Sequence, residues 1–472
     1  MTEYRKLADQ DIVRALSINS RQIQGTDIAP LPFTATGTTT ANDLADRTAT
    51  VLNIVDFGGS TAAMDNSAAF NAALALHTST GRPIYFPAGV WKFTSAISYT
   101  LPNATDSLQI VGASMDGTIL HFGATDGITI NYLGPYNSTH WRDLTVTTTG
   151  AGNGTGITLH QNQVTQGNPA NTALSDFFNV TIRGADTYAG FNYWTVGVLA
   201  SSVSNINFVN FTAVGGTNDG TSIASGTIGV RLVGTHPNNG VVYNFYGATI
   251  NYIDKGILYD VSAQGVTITA SNFVGDNYGV WLNTATDTLQ LAIMNSAFNC
   301  NINGIFAVSA PDLVVIGNSF LTVVNNAIAI LIAGINGAVI SGNYFTGGQG
   351  ATGTVGIENQ NENGTPVVIT GNVFSAGLNA YWFPTTGFTY PTIISNNIYG
   401  IGGTYSAAPG AKVILDFPVT FSLLPAASNT FKGRTAFVTD SNTAVWGATV
   451  AGGGANNVLV VCDGTNWTVM GK

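Results

Sequence analysis

The chain has 472 residues, a formal net charge of -10, 56 glycines and only 8% charged residues. With no Lys/Arg cluster to neutralise phosphates, this acidic balance excludes a nucleic-acid partner, and the lack of any run of about 18 apolar residues excludes an ordinary membrane-spanning helix. The 45% hydrophobic share comes as short Val/Ile/Phe runs between Gly and Asn, which predicts an all-β protein.

Residues 1–22, MTEYRKLADQDIVRALSINSRQ, contain no continuous apolar stretch followed by a small-residue cleavage pattern, so no signal peptide is expected. The polar run TATGTTTAND reads as a linker, which sets residues 1–50 apart from the rest of the chain. From residue 53 the text becomes NIVDFGGSTAAMDNSAAFNAALALHTSTGRPIYFPAG. Asp65 is a candidate N-cap, and Phe70, Ala73, Leu74 and His77 fall on one face at helical spacing, which predicts a helix over 65–80. RPIYFPAGVWKF then reads as the first strands.

From about residue 175 the sequence restarts repeatedly: a short β run, Asn with an aromatic, a polar turn, then Gly followed by Ile or Val. The aromatic anchors Phe273, Phe298, Phe320, Phe345 and Phe374 are 22 to 29 residues apart. A period of this size means a solenoid, propeller or array. The repeat has no helical period, its runs are too short for propeller blades, and its Leu pattern is not that of a leucine-rich repeat. These features predict a parallel β-helix whose coils stack at about 4.8 Å. Asn318, Asn343, Asn372 and Asn396, each placed two residues before a large apolar side chain, should superpose as a column of turn amides. The helix over 65–80 would cover the apolar cross-section and unpaired edge of the first coil. Cys300 and Cys462 fall in different units and are expected to be free thiols, with no metal-ligand spacing around them.

Val55-Asp56-Phe57-Gly58, Asp65, the Ala-rich helix and Ile84-Tyr85-Phe86-Pro87-Ala88-Gly89-Val90-Trp91 together resemble the N-terminal signature of the pectate-lyase-like right-handed β-helix superfamily. The preceding ANDLADRTATVLNIVDFGG is similar to the segment by which bacteriophage tailspikes and tail-fibre depolymerases enter their β-helix. GSTAAMDN stands where the family has Gly-Asp-Gly and paired Asp, a departure in a mainly structural loop. Residues 431–472, with the turn AGGGANN and a final DGTNW hairpin, look like a small β module found at the ends of phage tail proteins. The resemblance implies a homotrimeric virion tail spike that binds, and often cleaves, a bacterial surface polysaccharide outside the host cell. It implies three parts: residues 1–50 attaching to a phage tail or baseplate protein, a β-helix over 51–405, and a C-terminal β module over 406–472 for trimerisation or glycan contact.

Hydrolysis of a glycosidic bond needs two carboxyl groups flanking it. Alignment of the coils on their Gly-[Ile/Val] step puts Asp254 two positions before Gly256 and Asp276 three before Gly279, so the pair is expected one coil apart, roughly 5–7 Å. Asp186 and Asp219, in longer turns before Gly197 and Gly229, extend the same acidic flank. In the strand after each Gly, alternation turns Val230, Ile257, Val280 and Ile305 inward and Arg231, Leu258, Trp281, Phe306 and Glu358 outward, with Asp260 outward further along. Tyr188, Tyr193, Trp194, Tyr252 and Tyr278 are candidate sugar-stacking surfaces beside these acids. The candidate catalytic set is therefore Asp254, Asp276, Asp219, Asp260 and Glu358. The candidate substrate-binding set is Arg231, Trp281, Tyr252, Tyr278, Trp194 and Asp186.

Each acid has an ordinary alternative as a turn cap, and Trp194 and Trp281 have one as subunit contacts. His160 and His236 read as surface-loop residues. Elimination would need a base and cationic neutralisation of a uronate, and only Arg183, Arg231 and Lys255 lie in the central coils, which favours hydrolysis over a lyase reaction. No cofactor is expected. A spike that binds glycan or a partner without cleaving remains the competing reading.

Overall fold

The structure, a computed structural model, describes residues 32–33, 42–43 and 50–472, apart from 163–172, 187, 235–239, 262, 283–289, 309–311, 336, 349, 363–365, 376, 384–391, 400–403, 408–412, 415–417 and 425. His236 and most of residues 1–50 lie outside the described residues.

The chain winds into an all-β parallel solenoid of about ten turns followed by a small antiparallel sheet. A typical coil contributes three short strands, such as Val241–Tyr246, Thr249–Asn251 and Lys255–Tyr259, and each pairs in parallel with its counterpart one coil on: Gln264–Thr269, Asn272–Val274 and Tyr278–Leu282. Strands of the third kind build a 12-stranded parallel sheet. Solenoid pairing continues through Thr404–Ala407 and Val413–Ile414.

Like residues stack on like because successive coils keep register. The rings of Phe273, Phe298, Phe320, Phe345 and Phe374 form one file with neighbouring centroids 4.7 to 5.0 Å apart and nearly parallel planes. Each Phe is almost fully buried, a gain of about 1.5–3 kcal/mol per side chain before chain entropy is counted. Beside this file runs a polar ladder. Asn318 N–H and Nδ2 donate to Asn343 Oδ1, the same groups of Asn343 donate to Asn372, and those of Asn372 donate to Asn397. The last member is thus Asn397 rather than the expected Asn396. Tyr399, two residues after Asn397, continues the aromatic file against Phe374, while Asn396 takes the left-handed backbone of the corner at φ 55°. Gly317, Gly342 and Gly371 occupy that left-handed corner in the preceding coils.

A second column explains the Gly-[Ile/Val] step. A Cβ on Gly229 would stand 2.5 Å from the Gly256 carbonyl oxygen, and one on Gly256 would stand 2.5 Å from that of Gly279. At this corner the coils approach too closely for a side chain.

Helix α1 (Ser67–Thr80) closes the first coil, with Phe70, Ala73, Leu74 and His77 buried. Its cap differs by one residue from the expected one: Asn66 is the N-cap and makes no side-chain cap bond. Asp65 instead ties the first turn to the strand beneath by accepting from Ser67 N–H, Ser67 Oγ and Thr94 Oγ1. The C-terminal sheet, Thr435–Ser441, Asn456–Cys462 and Trp467–Gly471, has its own core around Phe431, Val438, Val458, Val460 and Trp467. Cys300 lies in the solenoid core and Cys462 in this second core, both as free thiols. Among the described residues no helix is long and apolar enough to cross a membrane.

Candidate functional site

The outward side of the 12-stranded sheet carries a continuous file. Arg231, Leu258, Trp281, Phe306, Leu331, Glu358 and Trp382 are successive register partners, one per coil. Val230, Ile257, Val280 and Ile305 face the core beside them, as alternation requires. Around Trp281 the file becomes an aromatic cluster, with Tyr278 and Phe306 at 4.2 and 4.7 Å between centroids and Lys255 Nζ 4.7 Å from the Trp281 ring centroid. A cation over an indole face is attracted by the ring quadrupole, so Lys255 is held on this surface.

The acids do not assemble as one flank. Asp276 points into the solenoid and is fully buried, which corrects its expected position beside Asp254 on the surface. One of its oxygens accepts from Ile253 N–H at 2.9 Å, and the other has no partner among the described residues. Burial pushes its pKa well above the usual carboxylate range, with the Ile253 bond opposing. The offset from Gly279 misled because the backbone turns a corner between the two residues, and alternation does not carry across a corner.

Asp254 stays at the coil edge. Its Oδ1 accepts from Asn277 Nδ2 at 2.8 Å, and its Oδ2 accepts from Gly226 N–H and Lys255 Nζ at 3.0 Å. Burial opposes its ionisation, yet the bonds from Asn277, Lys255 and Gly226 outweigh burial and lower its pKa. Asp219 and Asp186 serve as turn caps. Asp219 accepts from the N–H and hydroxyl groups of both Thr221 and Ser222, and the backbone bonds from Ser222 and Thr221 lead in lowering its pKa. Asp186 accepts from Phe191 and Asn192 N–H. Asp260 is held by Arg231, whose Nε and terminal nitrogen both donate to Oδ2, at 3.0 and 2.6 Å. Arg231 is thus committed to an ion pair at one end of the strand Lys255–Tyr259, while Asp254 sits at the other, roughly 20 Å away along the chain.

Among the aromatics, Trp194 is only 4% exposed and belongs to the solenoid core, which corrects its expected place on the surface. Tyr188 and Tyr252 meet edge to face at 6.0 Å on the coil flank, with the Tyr188 hydroxyl bonded to Asn251. Tyr193 is buried and donates to Asn218. His160 lies on the strand Thr155–Gln161 rather than in a loop.

Glu358 is the acid of the outward file. It is 2% exposed, flanked in register by Leu331 and Trp382, with Oε1 accepting from Gln360 at 2.5 Å and Oε2 without a partner among the described residues. Burial raises its pKa against the lowering effect of Gln360. A groove of about 430 Å³ lined by Asn326, Ile328, Val355, Asn379, Tyr381 and Trp382 opens three residues before Glu358 on the strand Val355–Glu362, and Glu358 itself does not line it. Trp382, an exposed side chain, is the register neighbour of Glu358 and forms one wall. The sequence pattern missed Trp382 because Ala380 replaces Gly at the corner of its coil; counting one coil on from Glu358 would have found it. Asp254 stands four coils from Glu358, about 19 Å. That separation is too long for the paired carboxyls of either hydrolase geometry.

No protein-family model and no curated protein matches the sequence. Solved structures do. The N-terminal fragment of bacteriophage Phi29 gene product 12 is 11% identical, with a TM-score of 0.51 over 75% of this chain and 71% of that one. The neighbours are phage tailspikes and other right-handed β-helix proteins. Tailspike protein 3 of bacteriophage CBA120 is 14% identical with a TM-score of 0.48, over 98% of this chain and 76% of that one. The A-module of the Azotobacter vinelandii mannuronan C-5 epimerase AlgE4 is also 14% identical, with a TM-score of 0.49 over 78% of this chain and the whole of that one. At these identities the likeness concerns the fold alone.

Proposed function

We propose that this chain is a phage tailspike that binds a bacterial surface polysaccharide along the outward file of its long sheet and cleaves it at the groove beside Glu358. One observation carries the reading: a buried glutamate with a raised pKa and an unpartnered oxygen is the register neighbour of Trp382, which walls an open groove, and lies three residues along the strand from Val355, which also lines it. Burial favours the protonated form of the carboxyl, the form that donates a proton to a glycosidic oxygen, and an indole face with flanking Asn side chains suits a sugar ring. Arg231, Lys255, Tyr278 and Trp281 extend the same surface and would hold the sugars further along the chain. On this reading the working particle is a homotrimer in the virion tail, attached through residues 1–50.

A binding spike without cleavage is the second reading. It is favoured by the sequences of the two strands that pair with that of Glu358, Ile328–Ile335 and Asn379–Phe383, neither of which contains a second carboxylate. Incubating the protein with capsule, lipopolysaccharide and exopolysaccharide preparations separates the two: new reducing ends support cleavage, by hydrolysis where no unsaturated uronate forms, and binding without new ends supports the alternative. Ultraviolet absorbance from unsaturated uronates would instead identify a lyase.

A further inference from the structure

We propose that Ser138, His140 and Asp176 form a second active site, a serine-nucleophile relay that cleaves acyl esters, with an O-acetyl group on a sugar hydroxyl as the substrate class. The site lies on a different sheet from Glu358, near the N-terminal end of the solenoid, and does not depend on the reading given to the Glu358 groove.

Three neighbouring coils build it. The strands Ser107–Gly112, Ser138–Thr148 and Ser175–Gly184 run in parallel, with Ser138 in register with Ser107, and His140 in register with both Gln109 and Asp176. Thr139 and Trp141 face the core, so Ser138 and His140 are neighbours on the outward face. His140 Nδ1 lies 2.9 Å from Asp176 Oδ2, and His140 Nε2 lies 3.4 Å from Ser138 Oγ. A carboxylate acceptor at Nδ1 selects the tautomer with the proton there and leaves Nε2 as the acceptor facing the serine. Arg142 donates to the same Asp176 oxygen at 3.2 Å, while Asp176 Oδ1 is buried without a partner among the described residues. The order is therefore nucleophile, base and orienter. Further along the same file Asp176 is followed by Asn207 and Asn244, which bond like to like as a structural ladder does.

The Ser138 hydroxyl rests on Ser107 Oγ at 2.9 Å, and rotation about its Cβ–Oγ bond would bring the proton to His140 Nε2. A separation of 3.4 Å is long for that transfer, within the looseness common before substrate binds. In the first half-reaction Ser138 Oγ bonds to the acyl carbon, its proton passes to His140, and the sugar alcohol departs with that proton. In the second, water gives a proton to His140, its oxygen bonds to the acyl carbon, Ser138 recovers its proton, and a carboxylic acid leaves. Gln109 is the register partner of His140 one coil back, and on this relay its side-chain amide would donate to the carbonyl oxygen as charge develops.

The test treats the full chain with a fluorophosphonate probe and, separately, with 4-nitrophenyl acetate, reading intact mass, the labelled peptide and nitrophenolate release. The expected result is one phosphonyl group on Ser138 and ester turnover, both reduced at least about 100-fold in Ser138→Ala and His140→Ala. Ser319→Ala, an exposed serine elsewhere on the solenoid, should match the parent. Thermal unfolding of each variant reports folding, and Asp176→Asn supplies a near-isosteric change that should also lower turnover. No labelling of folded parent protein would overturn the relay. Labelling that survives Ser138→Ala, or that is unchanged in His140→Ala, would overturn it equally. Release of acetate from an O-acetylated polysaccharide at a rate above that from 4-nitrophenyl acetate would support the sugar ester as the substrate; equal rates for the deacetylated and acetylated polymer would remove it.

Discussion

Asp276 and Ile253 meet inside the solenoid, the carboxylate accepting the Ile253 N–H at 2.9 Å while its second oxygen has no partner among the described residues. Burial raises the Asp276 pKa in the folded chain above its unfolded value of 3.8. Its contribution to stability is therefore complete below about pH 3.8 and is lost as pH rises toward the folded value. Asp276→Asn keeps the acceptor for Ile253 and cannot ionise. It should leave the unfolding midpoint almost unchanged at about pH 4 and raise it at about pH 8 by a few degrees, on the order of 1–2 kcal/mol. Thermal melts of both proteins at the two pH values check this, and a midpoint lowered at the higher pH would return the side chain to a needed charged role.

Asn343 gives and receives the hydrogen bonds of the central ladder: its Nδ2 donates to Val315 O and to Asn372 Oδ1, and its Oδ1 accepts from Asn318. Asn343→Ala strands buried donors and acceptors in both neighbouring coils. The expected loss is roughly 2–5 kcal/mol, measured by denaturant unfolding. Asn396→Ala, at the left-handed corner outside the ladder, should cost less.

The fold was legible in the sequence wherever a side chain repeats once per coil. The Phe273 to Phe374 file and Asn318, Asn343 and Asn372 could be read because stacking at one strand spacing demands the same residue type at the same point of each turn. The reading slipped by one residue at Asn396 because both members of the Asn396–Asn397 pair suit a corner, and only the position of Tyr399 decides between them. It failed at Asp276, since a corner separates that residue from the Gly used to align it. Trp194 entered the core for the same reason: its coil has a long turn ahead of it, where alternation gives no phase. The Ser138, His140 and Asp176 cluster was invisible because no residue type repeats from coil to coil along the file Gln109, His140 and Asp176, and partners 36 residues apart become neighbours only through register.

Trp382 walls the groove with its ring open to solvent. Trp382→Ala should weaken binding to the recognised polysaccharide by up to roughly tenfold, consistent with about 0.5–1.5 kcal/mol for an aromatic contact, and should leave folding intact. Glycan binding by calorimetry or a surface assay checks this, with Val339→Ala on another face as the comparison.

Glu358 must be protonated to act as the acid. Its folded pKa is raised, so activity should fall as pH rises through that folded value, with the alkaline limb above that of an ordinary glutamate. A pH–rate profile on the cleaved polysaccharide reads this directly, and an alkaline limb that persists in Glu358→Gln would assign it to another group.

The most direct measurement is the appearance of new reducing ends when the full chain is mixed with surface polysaccharides from a panel of bacteria, run beside Glu358→Gln. The expected result is chain cleavage on at least one glycan, falling by about 10²-fold or more in Glu358→Gln while binding is kept. Binding that depends on Trp382 with no new ends on any glycan, or cleavage undiminished in Glu358→Gln, would contradict the assignment of cleavage to this groove.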